Sequence, residues 1–432
     1  MSELIEKSGI ILIICLILQS SALSAEFAGG TGEPNDPYQI ATAEQLISIG
    51  ADRDLLDKHF ILIEDIDLDP NLPGGRIFED ALIAQDEDDS ANGHKGSSFN
   101  GIFDGNGHTI ANLHIEGKYG YDTGLFGMLS GLIKNLHLTD VVVSGSTCGA
   151  MAGLHHGTIF RCRVNGRVSG AKNVGGLVGN NSNGSLIECE AQVQVVGDSS
   201  VGGMVGGGPG GTLSRCEVQA EVNGNNIVGG LVGRQSGHSI IECRVAGVVS
   251  GNSTVGGLIG EFYETLIWRS SVNCVVTAEQ TAGGLIGFAS GIHMFIADCY
   301  ARGSITGSTL GGLIGETHGI RIINCYAACE VYPLEVEGTE ARVGGLFGNA
   351  LIQQWSPTTI ACFWDAESSG ITVSTGSDPH LELGQGLSTE QMLDEEMFRN
   401  AGWDFDYIWM ISEGEYPKLR WEVIKNDAVA TP

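Results

Sequence analysis

The stretch Val174–Gly197, VGGLVGNNSNGSLIECEAQVQVVG, decides the fold. It opens with a Gly-Gly-apolar-apolar-Gly core and crosses a short polar loop. It then alternates, with Ile187, Cys189, Ala191, Val193 and Val195 separated by polar residues. A two-residue period marks a half-buried strand, not a helix.

Near-copies of this unit fill the middle of the chain. Glycine pairs stand at Gly175-Gly176, Gly202-Gly203, Gly229-Gly230, Gly256-Gly257, Gly283-Gly284, Gly311-Gly312 and Gly344-Gly345. They are 27, 27, 27, 27, 28 and 33 residues apart. Two degenerate copies precede them, at Gly149-Ala150 and around Gly124-Leu125-Phe126-Gly127. Self-similarity at such a period indicates a solenoid. The unit is too short for a helix pair and suits two or three short strands, with glycines supplying corners of positive φ. Stacking at about 4.8 Å gives an all-β, right-handed parallel β-helix. About nine coils of 26–28 residues are expected, with small helical or strand caps at both ends.

Aligned coils make columns. The residue before the repeat cysteine runs Arg161, Glu188, Arg215, Glu242, Arg269, an alternating charge ladder on the outward face. Opposite charges on neighbouring strands contribute about 0.2–1 kcal/mol per pair, and like charges would meet in a slipped register. Within one strand, Cys216, Val218, Ala220 and Val222 are expected inward, and Arg215, Glu217, Gln219 and Glu221 outward. Cys162, Cys189, Cys216, Cys243 and Cys325 share an inward column, with Ser270 and Ala297 expected between them. Exchange with Ser and Ala suits buried free thiols better than disulfides.

The 432 residues include 65 glycines and only 10 prolines, as expected where proline would interrupt strand ladders. The net charge is −30, from 52 acidic and 22 basic residues. That excludes nucleic acid and anionic membrane surfaces as partners and permits calcium or basic partners. The apolar run Ile10–Leu18 after Lys7, with small residues at Ala22-Leu23-Ser24, predicts a signal peptide over 1–24. It is too short to span a bilayer, and no later segment is expected to cross one. An N-terminal cap region over 25–118, the repeats over 119–375 and a C-terminal cap over 376–432 complete the division.

Thr42-Ala43-Glu44-Gln45 is a capping box opening a helix over 43–49, placed to plug the solenoid end. Phe60–Leu68 alternates apolar and acidic residues and predicts a strand. Asp86, Glu87, Asp88 and Asp89 lie in a polar insert, Gly74–Ser98. They are the weak calcium candidates, although the EF-hand spacing is absent. His155, His156, His238, His293 and His318 fall on different coils and are not expected to meet on one metal. Ser388-Thr389-Glu390-Gln391 is a second capping box, and Trp403, Phe405 and Tyr416 are expected to pack the C-terminal cap.

The Gly-Gly-Leu-Val/Ile-Gly core, with a cysteine about 13 residues on, resembles the GLUG-repeat family of secreted bacterial proteins. Asp36-Pro37-Tyr38-Gln39-Ile40, Phe103-Asp104-Gly105-Asn106-Gly107-His108 and Gly402-Trp403-Asp404-Phe405 extend the resemblance beyond the repeats. It implies a surface or secreted protein and assigns no catalytic residue to the repeat. Members include immunoglobulin A proteases, whose peptidase lies outside the repeats, and this chain carries no HExxH. The expected function is therefore non-catalytic: an adhesion, binding or scaffold module toward an extracellular polysaccharide or surface protein. The alternative is a polysaccharide lyase or glycoside hydrolase on a β-helix. That chemistry needs two carboxylates about 5–10 Å apart across a cleft.

Overall fold

The computed structural model describes residues 26–87, 94–118, 120, 122–237, 239–264, 266–291, 294–335, 340–351 and 357–423. The expected signal segment, together with Asp88, Asp89, His238 and His293, lies outside them.

The chain winds as a parallel β-solenoid with three faces. A base sheet of 12 strands, a long sheet of 20 and a side sheet of nine are each parallel throughout. The side sheet takes one strand per coil, so its nine rungs bracket about eight turns. One coil shows the pattern. Ser185–Ile187 lies in the base sheet, Glu190–Gly202 in the long sheet and Val205–Gly208 in the side sheet. Neighbouring coils keep register across the long strand, with Glu190 beside Glu217 and Gly197 beside Gly224. Burial over Glu217–Gly224 alternates as the sequence predicts, with Val218 3 % exposed inside and Glu217 outside.

The corners meet expectation in part. Between side and base sheets glycines supply positive φ, as at Gly237 (76°) and Gly319 (77°), but between base and long sheets it belongs to a column of non-glycine residues. Asn135, Arg161, Glu188, Arg215, Glu242, Arg269, Asp298, Asn324 and Ala361 all have φ between 49 and 54°. The paired glycines serve close approach instead. A Cβ on Gly203 would lie 2.2 Å from the Gly230 carbonyl oxygen, and one on Gly202 2.1 Å from that of Val205. The same contact recurs from Gly176 to Gly312, so no side chain fits where one coil turns against the next.

The charge ladder therefore sits on the left-handed corner. Arg161 Nε lies 2.7 Å from Glu188, and Arg215 lies 3.2 Å from both Glu188 and Glu242. Arg161 first, then Arg215, holds the Glu188 carboxyl below its ordinary range.

The cysteine column is corrected at one place. Ala297 pairs with Trp268 and Ile323, so it belongs to the base-sheet strand. Cys299 takes the column position, since the Ser270 N–H donates to its sulfur and the Cys299 N–H donates to Cys325. The coil between Ser270 and Cys299 is two residues longer than the repeat, which displaced the alignment. The ten described cysteines are free and buried.

At the N-terminal end the capping box forms as predicted, opening a helix over Ala43–Ala51. Leu46 and Ile49 are fully buried against the first coils. The base-sheet ladder begins already at Tyr38–Ile40, which pairs in parallel with His59–Leu62. The strand expected over 60–68 breaks into His59–Leu62 and Ile66–Asp67, because the chain turns at Glu64-Asp65. The insert is not simply a solvated loop. Ala81-Leu82-Ile83-Ala84 is buried, and Ile83 pairs with Phe126 ahead of the first side-sheet rung.

The C-terminal segment leaves the axis and lies against the flank of the last coils. Its helices, Thr389–Met392 and Glu395–Asn400, are separated by the new N-cap Asp394. Three indole N–H groups dock on the left-handed corners: Trp421 on Arg269 O, Trp409 on Asp298 and Trp403 on Ala361 O. Arg302 stacks 4.6 Å from the Tyr300 ring and 5.2 Å from Tyr416, and donates to the Pro417 carbonyl. Phe398, Trp403, Phe405 and Trp409 are thus interior, Tyr416 and Trp421 half-buried, and Tyr407 83 % exposed.

Candidate functional site

The outward side of the long sheet is two different surfaces. Its leading column reads His137, Arg163, Glu190, Glu217, Arg244, Ser271, Tyr300, Tyr326, Phe363. From Ser271 onward the C-terminal segment covers it, with Glu422 accepting from Ser271 and, at 2.7 Å, from the Tyr300 hydroxyl. From His137 to Arg244 it lines an open trough of about 560 Å³. The five rungs span about 19 Å at the usual strand separation.

The second column brings Asn165, Gln192 and Gln219 side by side. The third adds Arg167, Gln194 and Glu221, where a shallower depression of about 400 Å³ continues the trough. These side chains point outward because Val164, Ala191 and Val218 face in on the same strands. Two glycines, Gly166 at φ 144° and Gly247 at φ 131°, line the depression.

Charge in the trough is largely balanced within it. Arg163 lies 3.3 Å from Glu190, and Gln194 donates to Glu221 at 3.3 Å. Burial, then the nearby Arg163, holds His137 below the usual histidine range. Glu217, expected outward from the alternation, and Glu190 occupy consecutive rungs of one wall. Glu188 is on the corner ladder, outside the trough. Chemically the surface offers amide donors and acceptors repeated at the coil spacing.

Of the calcium candidates, Asp86 is buried and its Oδ1 accepts the Lys95 N–H at 2.8 Å, while Glu87 pairs with Arg53. Among the described residues, His155 and His318 have separate partners. His155 is sealed inside on Asn181 at 2.8 Å, and His318 lies 3.3 Å from Glu316. Sequence reading missed the trough, since which face stays open depends on where the C-terminal segment lands. It also missed Arg302, His94 and Asp122.

No family model matches the chain. Among curated proteins, "Putative Gly-rich membrane protein" of Evansella cellulosilytica is 37% identical over 94% of this chain and 47% of its own length. "Halomucin" of Haloquadratum walsbyi is 35% identical over 37% of this chain and 2% of its own. The chain thus spans about half the length of the first and a small part of the second. Among solved structures, a crystal structure described as a "putative immunoglobulin A1 protease from Bacteroides ovatus" aligns over 91% of this chain and 95% of its own. The identity there is 18% and the TM-score 0.45.

Proposed function

We propose that this chain is an exported β-helix module of the GLUG-repeat type whose trough binds an extended, uncharged polysaccharide. The observation that carries the reading is the amide ladder Asn165, Gln192, Gln219, on three consecutive rungs of a trough whose five rungs stay open while later rungs are covered. Side-chain amides both donate and accept, so they match hydroxyl-rich chains. A periodic wall suits a periodic ligand. The net charge of −30 disfavours polyanions as ligands. Glu190 and Glu217 stand in line on one wall, not across a cleft, which favours binding over hydrolysis. Export is supported by the apolar run at 10–18 and by the relative named as a membrane protein. No helix among the described residues is long and apolar enough to cross a membrane.

The test is a panel of neutral and anionic polysaccharides assayed for binding and for product release. A neutral chain is expected to bind uncleaved, and the double change Gln192→Ala, Gln219→Ala is expected to weaken it at least about tenfold, or 1.4 kcal/mol. Binding that the double variant leaves intact would remove the trough from the reading. Release of shortened chains would replace the binding module with an enzyme.

A further inference from the structure

At the N-terminal end, three residues from separate segments meet. Asp86 and His94 belong to the insert, and Asp122 begins the strand Asp122–Thr123. Their ligating atoms lie within 4.8 Å of one another. His94 Nδ1 is 3.5 Å from Asp122 Oδ2 and 3.8 Å from Asp86 Oδ2. The His94 side chain is 2% exposed, that of Asp86 1% and that of Asp122 13%.

The burial makes this arrangement costly as it stands. Neither ring nitrogen of His94 has a hydrogen-bond partner among the described residues, and neither does Asp86 Oδ2. Asp86 Oδ1 is already used by the Lys95 N–H, which fixes the carboxylate with its second oxygen aimed into the cluster. A buried polar atom without a partner costs about 1–3 kcal/mol, and more if charged. Asp86 Oδ2 and His94 Nδ1 face each other across this space and call for a common partner.

The separations indicate what it is. They are too long for direct hydrogen bonds. They suit atoms bound to one ion: tetrahedral bonds of about 2.0–2.2 Å put ligand atoms about 3.4 Å apart. An imidazole in the set favours zinc or a neighbouring transition metal over calcium, which takes oxygen ligands. We propose that Asp86, His94 and Asp122 form a zinc-class divalent metal site that fastens the insert to the first coil. Three protein ligands would leave one position to water. The calcium reading of the acidic run thus changes in both residues and metal: it keeps Asp86 and adds partners distant in sequence.

The site is tested on the full chain with Zn²⁺, Co²⁺ and Ca²⁺ as separate probes, by calorimetry and thermal melts. Zn²⁺ is expected to bind one equivalent and raise the melting temperature, reversibly with a chelator. Co²⁺ is expected to give the intense visible bands of a low-symmetry site. His94→Ala and the near-isosteric Asp122→Asn should each lower Zn²⁺ affinity by more than the roughly 10–100-fold lost with an outer-shell partner. Melts without metal establish that both variants fold. The proposal fails if Zn²⁺ gives no stoichiometric heat, if folded variants bind it like the parent, or if Ca²⁺ binds as tightly.

Discussion

His155 enters the folded state as a neutral ring. Burial lowers its pKa from 6.5 to about 4, with the Asn181 contact working against the shift, and its Nε2 has no hydrogen-bond partner among the described residues. The unfolded chain therefore binds this proton more readily. The stability from the neutral ring is complete above pH 6.5, where neither state is protonated, and is lost as pH falls through the folded value near 4. At pH 5 the loss is about 2 kcal/mol. Denaturant melts at pH 7.5 and 5 should show this loss in the parent and not in His155→Gln. Equal losses in both proteins would assign the acid sensitivity elsewhere. Nothing in the local sequence marks His155 as interior. Alternation places the residue in the core only once the side-sheet rung is known, and His156 beside it offers an equally good match.

Elements here are rungs, and each rung carries two constraints that the repeat displays openly and one that it hides. The alternation of Val218 and Glu217 is open. Val218→Asp would bury an unpaired charge and is expected to cost more than about 4 kcal/mol, whereas Glu217→Ala should cost under about 1 kcal/mol. Chemical denaturation of the two variants ranks them, and the reverse order would invert the strand. The glycine pairs are open too, but their reason is hidden. Gly203→Ala drives a Cβ into the Gly230 carbonyl and is expected to cost about 3 kcal/mol or more.

Arg215→Gly relieves a left-handed φ of 52° while removing two surface contacts at 3.2 Å. These terms oppose, so stability should change by less than about 1 kcal/mol. If Arg215→Gly proves worse than Gly203→Ala, the roles of the two corners have been exchanged. The sequence makes glycine look like the turning residue because glycine is the usual one. Only the backbone reveals that an Arg/Glu column turns between base and long sheets, while glycines such as Gly237 and Gly319 turn between side and base sheets. The misplaced Ala297 has a similar origin: a coil two residues longer shifts the column, and a fixed period cannot detect it.

For the whole molecule, period and alternation were enough to establish a parallel solenoid, because stacking demands the same side chain at the same place in every coil. The candidate binding surface was not legible in the same way. It arises where the C-terminal segment stops, at Glu422 beside Ser271, and leaves the rungs from His137 to Arg244 open. That boundary joins residues about 150 positions apart, and no motif announces it. Likewise, the cluster of Asp86, His94 and Asp122 joins the first coil to an insert that composition alone presents as a polar loop.

A trough of five stacked rungs makes a demand that a single-sugar pocket does not: affinity must grow with ligand length until the rungs are filled. The measurement is calorimetric titration of the full chain with a graded series of oligomers of the best-bound neutral polysaccharide. The expected result is a stepwise gain in affinity with each added residue, ending in a plateau once the chain spans about 19 Å. Gln192→Ala, Gln219→Ala should flatten the series. Affinity that is already complete for a mono- or disaccharide, or that the double variant leaves unchanged at every length, would contradict binding along the coils.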